Sequence, residues 1–120
     1  MTKIIIAGSR DFNNKELLYK KVDEILSTID DEFEIVSGHC RGTDILGELY
    51  AIDHHINFIT FPALWDIYGK SAGYIRNYKM AKYAGKNGIL IAFPIGESRG
   101  TRMMIRIAKQ IGMKVFVIEE

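Results

Sequence analysis

The residues best suited to chemistry lie in one turn, at residues 93–101, with the sequence FPIGESRGT. An apolar run stops there and a helical pattern begins, so several backbone N–H groups at a helix N-terminus face one point. Gly96 and Gly100 allow the backbone to turn tightly and to approach another group. Ser98 and Thr101 can cap the helix. Because the helix dipole adds partial positive charge, we expect this turn to hold the phosphate of a small molecule.

Three other predicted turns have a similar composition: GSRDF from residue 8, SGHCRGTD from residue 37, and a longer segment that begins FPALWDIYGK at residue 61. Loops that follow parallel strands emerge at the same edge of a sheet, so the four segments are expected to converge. Arginine is a fixed fork of donors that matches phosphate oxygens, and each segment has one: Arg10, Arg41, Arg76 and Arg99. No segment matches a P-loop or the GxGxxG dinucleotide fingerprint.

The elements that must position these turns alternate between strands and helices. Short apolar runs predict strands at 4–7, 33–36, 89–93 and 115–118. The alternating segment 56–61 predicts a less buried strand nearer a sheet edge. Apolar residues at intervals of three or four predict helices that begin near 14, 42, 71 and 101, the last two ending at 84 and 111. This alternation predicts an α/β fold with a parallel sheet covered by helices on both faces. The most apolar strands, the first and fourth, are expected to be neighbours at its centre.

Length and composition predict a single domain over residues 1–120. With 48% hydrophobic residues, 26% charged residues and a net charge of +1, the chain is typical of soluble proteins and has no global signal for nucleic acid. No segment has the roughly 20 apolar residues of a membrane span. There is no signal-peptide pattern, and the single Cys40 excludes an internal disulfide. We therefore expect a cytoplasmic protein with no membrane partner.

The motifs GSRDF, SGxxRGTD, FPAxWxxxGxxAGxxRNxxM and SRGT occur in this order and together resemble the YspA-type SLOG family. That family belongs to the superfamily of the LOG cytokinin-activating phosphoribohydrolases and the DNA-processing protein DprA. The resemblance covers nearly the whole chain. It implies a Rossmann-like three-layer domain with strand order 3-2-1-4-5, and a nucleotide or nucleotide-derived ligand. We expect no cofactor and no metal.

The resemblance also implies which residues surround the ligand. Gly8, Ser9 and Arg10 would form one wall, and Ser37, Gly38, Arg41, Gly42 and Asp44 a second. Arg76 and Asn77 are similar to the arginine of the LOG motif RKxxM, and Gly96, Gly100 and Thr101 to the LOG phosphate loop PGGxGTxxE. Ser98 and Arg99 lie in that loop, and Trp65 could stack on a base or belong to the core or an interface.

Two departures from the LOG pattern affect the expected activity. Met103 and Met104 stand where the LOG loop has glutamates, one of them catalytic, and methionine cannot act as a general acid or base. His39 and Cys40 stand where the family usually has small residues. A metal site would need further ligands at suitable spacing, and a nucleophilic cysteine would need a positioned base. Neither is expected here.

These observations leave three functions open. The leading hypothesis is a module that binds a nucleotide-derived ligand, as a sensor or a sequestering protein. The alternative is an enzyme that cleaves an N-glycosidic bond in a nucleotide, with Glu97, Asp44 or Asp66 replacing the missing glutamate. Single-strand nucleic-acid binding like that of DprA needs a basic groove with aromatics, which the near-neutral charge disfavours. Tyr74 and Tyr78 are candidates for a homo-oligomer contact.

Overall fold

Five parallel strands form one sheet in the order β3-β2-β1-β4-β5, as the resemblance implied. The computed structural model describes residues 1–119. The strands are β1 (Thr2–Gly8), β2 (Phe33–Ser37), β3 (Phe58–Thr60), β4 (Ile89–Phe93) and β5 (Lys114–Val117). β1 and β4 are neighbours, with Ile4 beside Ile89 and Gly8 beside Phe93. The prediction that these two apolar strands pair at the centre is therefore confirmed.

Within residues 1–119, five helices connect and cover the strands. They are α1 (Lys15–Leu26), α2 (Thr43–Asp53), α3 (Trp65–Tyr68), α4 (Ala72–Ala84) and α5 (Arg99–Ile111), and a single 3₁₀ turn (Gly69–Ser71) joins α3 to α4. Asn14 caps α1, because its side chain accepts a hydrogen bond from the Leu17 amide. The predicted α/β architecture is confirmed.

The two faces of the sheet carry separate cores. Along β1, side chains point alternately to opposite faces, so Ile4 and Ile6 pack with Leu18 and Val22 of α1. Ile5 packs on the other face with Met80 of α4, Met104 of α5 and their neighbours. Burial on both faces explains why β1 and β4 are almost wholly apolar. The sheet thus presents one carboxyl edge, where every strand-to-helix turn emerges.

Several predicted boundaries were wrong. β3 spans three residues, not the six of 56–61, because the preceding segment pairs only through the Asn57 carbonyl. The segment after it, predicted as a loop, contains α3 and the 3₁₀ turn. α5 begins at Arg99, two residues earlier than predicted. Ser98 is its N-cap, but the hydroxyl donates to Thr101 Oγ1 at 2.6 Å and caps no backbone amide.

Within residues 1–119, no helix combines the length and the apolar character needed to cross a bilayer. The longest helices have 13 residues, well short of the roughly 20 that a membrane span requires.

Candidate ligand-binding site at the carboxyl edge of the sheet

A cavity of about 280 Å³ lies beyond the carboxyl ends of β1 and β4, between the first turns of α2 and α5 and one face of α4. All four predicted arginines line it. The complete set of predicted site residues around the cavity is Gly8, Ser9, Arg10, Arg41, Asp44, Arg76, Asn77, Glu97, Ser98, Arg99, Gly100 and Thr101. The fold therefore brings together three of the four predicted turns and the arginine-bearing helix that follows the other one.

The remaining predicted residues do not line this cavity: Ser37, Gly38, Gly42, Trp65, Asp66 and Gly96. Ser37 is fully buried, and its hydroxyl donates to a Glu48 oxygen at 2.7 Å. Trp65 and Asp66 are exposed on α3, beyond β3. The Ser37 hydroxyl thus contacts Glu48 inside the protein, and Trp65 and Asp66 lie away from the cavity.

A closed ring of hydrogen bonds shapes the turn between β2 and α2. The His39 amide donates to Ser37 Oγ at 3.0 Å, and Ser37 Oγ in turn donates to Glu48 Oε2. Nδ1 of His39 lies 2.8 Å from the same Glu48 oxygen. This ring holds His39 in the left-handed region, at a φ of 60°, which few non-glycine residues adopt. The turn is therefore held in one shape without a ligand.

Thr43 connects this turn to the one after β1. Its backbone amide and its Oγ1 both donate to the Ser9 carbonyl, at 3.2 and 3.0 Å. Gly42 has a φ of 82°, and a Cβ there would lie 2.5 Å from the carbonyl oxygens of Ser9 and Arg10. Only glycine tolerates such an approach. Two walls of the cavity are thus joined directly.

Asp44 is a buried acid of the cavity, and its pKa is raised. It is 6% exposed and accepts a hydrogen bond from the Cys40 amide at 3.2 Å. Burial raises the pKa of its carboxyl from 3.8 to about 6, and the nearby Glu48 carboxylate adds to the rise. The Cys40 hydrogen bond and the Arg76 charge limit the rise in this pKa. Asp44 can therefore exchange a proton near neutral pH.

Arg76 and Asn77 tie α4 to the two neighbouring turns. Arg76 Nη1 donates to the Gly38 carbonyl at 2.8 Å, and its Nε donates to Asn77 Oδ1 at 2.8 Å. The Asn77 amide nitrogen then donates to the Gly100 carbonyl at 3.1 Å. This chain of hydrogen bonds holds the Arg76 guanidinium at the cavity wall. Nε and Nη1 make these bonds, and Nη2 does not take part in them.

The turn between β4 and α5 has few internal bonds. Gly96 has a φ of 68°, and a Cβ at this position would have no atom of residues 1–119 within 4 Å apart from those of Gly96 and its two chain neighbours. Within the described part of the chain, the backbone amides of residues 97–100 have no protein acceptor. These amides belong to the N-terminal end of α5, where the dipole favours an anion.

Charge at the cavity is mixed, with an excess of cations. Four arginines line it, together with the carboxylates of Asp11, Asp44 and Glu97. Asp11 and Arg41 approach to 3.6 Å but are largely exposed, so this pair contributes little stability. Because this pair is weak, it does not prevent Arg41 from contacting an anionic ligand.

Some residues that shape the cavity were not among the predicted site residues. Met104, only 1% exposed, lines it at a position where the LOG pattern has a glutamate. Cys40 also lines the cavity, with Sγ 3.6 Å from Arg76 Nη1. Glu48, which holds His39, lies four residues after Asp44 and so on the same helix face. That spacing was visible in the sequence and could have indicated Glu48.

Among residues 1–119, no three His, Cys, Asp or Glu side chains are grouped closely enough to hold a metal ion. Glu48 and His39 form a pair, and Asp44 is directed at backbone amides.

The fold and cavity define a Rossmann-like domain with an arginine-lined site at the carboxyl edge of its sheet. The chain belongs to the YspA, cpYpsA-related SLOG family, whose model matches residues 2–68. It is also similar to the Gene 61 protein of Mycobacterium phage D29, with 31% identity over 120 residues that cover 96% of this chain and 94% of that protein. No solved structure matches the chain. The family predicted from the motifs is confirmed.

Proposed function

We propose that this protein binds a nucleotide or a nucleotide-derived phosphorylated molecule in the cavity beyond β1 and β4. The convergence of four arginines with the free N-terminal amides of α5 supports this proposal. Arginine forks and helix N-termini are both suited to phosphate oxygens. Membership of a SLOG family supports a ligand related to nucleotides.

The residues that line the site, and the hydrogen bonds that hold its β2–α2 wall, favour binding without catalysis. Met104 presents a thioether at the position where the LOG pattern has a glutamate, so no carboxylate stands there. The β2–α2 turn is held by hydrogen bonds from the protein itself, which lowers the ordering cost of ligand capture. A sensor or a sequestering protein needs no more than such a preformed cavity. A cytoplasmic location and a homo-oligomeric state stay predictions.

A panel of nucleoside phosphates, ADP-ribose and cyclic nucleotides tests this proposal by thermal shift. A ligand at about one hundred times its dissociation constant adds about 2.7 kcal/mol, which raises the melting temperature by several degrees. Arg99→Ala should abolish the shift. Arg106→Ala is the matched control, because this arginine is exposed on the same helix and does not line the cavity. No shift of the wild-type protein with any member would overturn the proposal.

Asp44 favours a second candidate, hydrolysis of an N-glycosidic bond in a nucleotide. Its carboxyl lines the cavity with a pKa raised to about 6, as general acids and bases require near neutral pH. Glu97 also lines the cavity, on the turn itself. Chromatography of the same ligand mixtures decides between the candidates: base release that is lost in Asp44→Asn or Glu97→Gln would establish hydrolysis, and none would leave binding alone.

A further inference from the structure

A second cavity, of about 250 Å³, lies beside the first at the carboxyl edge of the sheet. It lies beyond the last residue of β3, Thr60, between the segment that contains α3 and the first turns of α4. Arg76 lines both cavities. The two therefore share one cationic side chain, which is held in place by the Gly38 carbonyl and Asn77.

The chemistry of the second cavity differs from that of the first. Its walls are mainly apolar and aromatic, with Phe61, Leu64, Tyr68 and Ile75 among the lining residues. Its cations are Arg76 and Lys79, and Lys79 Nζ lies 5.6 Å from the centre of the Tyr68 ring. Leu64 and Tyr68 are 43% and 40% exposed. Apolar walls with two donor side chains fit a flat aromatic ring that has acceptor atoms at its edge.

We propose that the second cavity takes a purine base of the same ligand whose phosphate lies in the first cavity. This inference rests on the proposed function. Aromatic and aliphatic side chains stack on the faces of a base. Arginine and lysine carry only donors, and guanine presents the two acceptors N7 and O6 on one edge. A nucleotide has both parts, an anion and an aromatic base joined by ribose, so it can occupy both cavities beside Arg76.

Fragments of one nucleotide separate the two sites. Guanosine carries only the base and the sugar, ribose 5-phosphate carries only the anion and the sugar, and GMP carries all three. In ¹H–¹⁵N spectra of the full chain, guanosine should shift the amides of residues 60–79, and ribose 5-phosphate those of 8–10 and 97–101. GMP should shift both groups and bind about tenfold more tightly than either fragment, because one ligand then makes both sets of contacts.

Ile75→Arg fills the second cavity and should weaken guanosine and GMP about tenfold while leaving ribose 5-phosphate unchanged. Ile67→Arg is the matched control, because Ile67 is 69% exposed on α3 and lines neither cavity. Tyr68→Ala removes one aromatic wall from a partly exposed position and gives an independent check if Ile75→Arg does not fold.

The outcomes distinguish this inference from the proposed function. The base site is wrong if guanosine does not shift the amide resonances of residues 60–79. It is also wrong if neither Ile75→Arg nor Tyr68→Ala lowers the affinity for guanosine. If ribose 5-phosphate alone fails to bind, the proposed phosphate site is wrong and the base site stands by itself. If both fragments bind but GMP is no tighter than the better one, the cavities take separate ligands and the single-ligand proposal is overturned.

Discussion

Two turns at the same edge of the sheet are built in opposite ways. The turn between β2 and α2 is closed by Ser37, His39 and Glu48, and Thr43 fastens it to the neighbouring turn. The turn between β4 and α5 contains Gly96 with open space around it, and amides of residues 97–100 that meet no protein acceptor among residues 1–119. Both turns line one cavity, yet only the first is closed by a ring of hydrogen bonds, while the second keeps the amides of residues 97–100 without an acceptor among residues 1–119.

The cavity thus has one wall that is fixed by internal hydrogen bonds, the β2–α2 turn, and one wall whose backbone amides are available to a ligand, the β4–α5 turn. Buried polar groups that are fully hydrogen-bonded hold a unique arrangement, so the β2–α2 turn sets the position of Asp44 and Arg76. Unpaired amides at a helix N-terminus are available to a ligand. We expect stability to depend on the first turn and ligand affinity on the second.

The largest expected effect is on the free energy of unfolding, when Gly42 of the β2–α2 turn and Gly96 of the β4–α5 turn are each replaced by alanine. Gly42→Ala would place a Cβ 2.5 Å from two carbonyl oxygens at a positive φ. We expect this substitution to reduce the free energy of unfolding by about 3 kcal/mol or more. Gly96→Ala also meets a positive φ but no close atom, and should cost about 1 kcal/mol. Urea denaturation measures both, and equal losses would contradict the comparison.

An intermediate effect concerns Asp44 and depends on pH. Its pKa in the folded protein, about 6, exceeds the value of 3.8 for the unfolded chain. The folded state therefore holds the proton more tightly, and the stability contributed by this group falls as the pH rises from about 4 to about 6. Above that window the ionised carboxyl lowers the free energy of unfolding by a constant amount, on the order of 2 to 3 kcal/mol.

Asp44→Asn removes this titration while keeping an acceptor for the Cys40 amide. We expect the variant to be more stable than the wild type at about pH 8, and the difference to disappear near about pH 4. Thermal unfolding across this range gives the measurement. A stability difference that is the same at both ends would show that Asp44 does not titrate in the window.

The smallest expected effect compares two hydroxyl groups. Thr43→Val removes the buried bond to the Ser9 carbonyl and should lower the free energy of unfolding by about 1 to 2 kcal/mol. Ser98→Ala removes the hydroxyl that donates to Thr101 in the open turn and should change it by about 0.5 kcal/mol or less. Chemical denaturation of both variants is the test. A larger loss for Ser98→Ala would mean that the open turn is also structural.

Much of the fold followed from local patterns. The apolar runs of β1 and β4 indicated central strands, since only strands covered on both faces are apolar throughout. The site was predictable in part because parallel strands send their following turns to one edge. β3 was placed too long because its pattern alone does not show which residues find a pairing partner. Ser37 was predicted as a ligand contact because the sequence does not show whether the hydroxyl of a turn residue faces the cavity or the protein interior. In the structure it is buried and donates to Glu48.

The amino-acid sequence by itself determined the family, the order of strands and helices, and the four arginines that meet at one edge. The family follows from the resemblance of four motifs, and the order of strands and helices follows from residue types and periodicity, which are local properties of the chain. Only the tertiary structure decided that Glu48 would hold His39, that Asp44 would be buried with a raised pKa, and that Arg76 would line two cavities. The physical reason is that burial, dielectric environment and hydrogen-bond partners arise from contacts between residues distant in sequence.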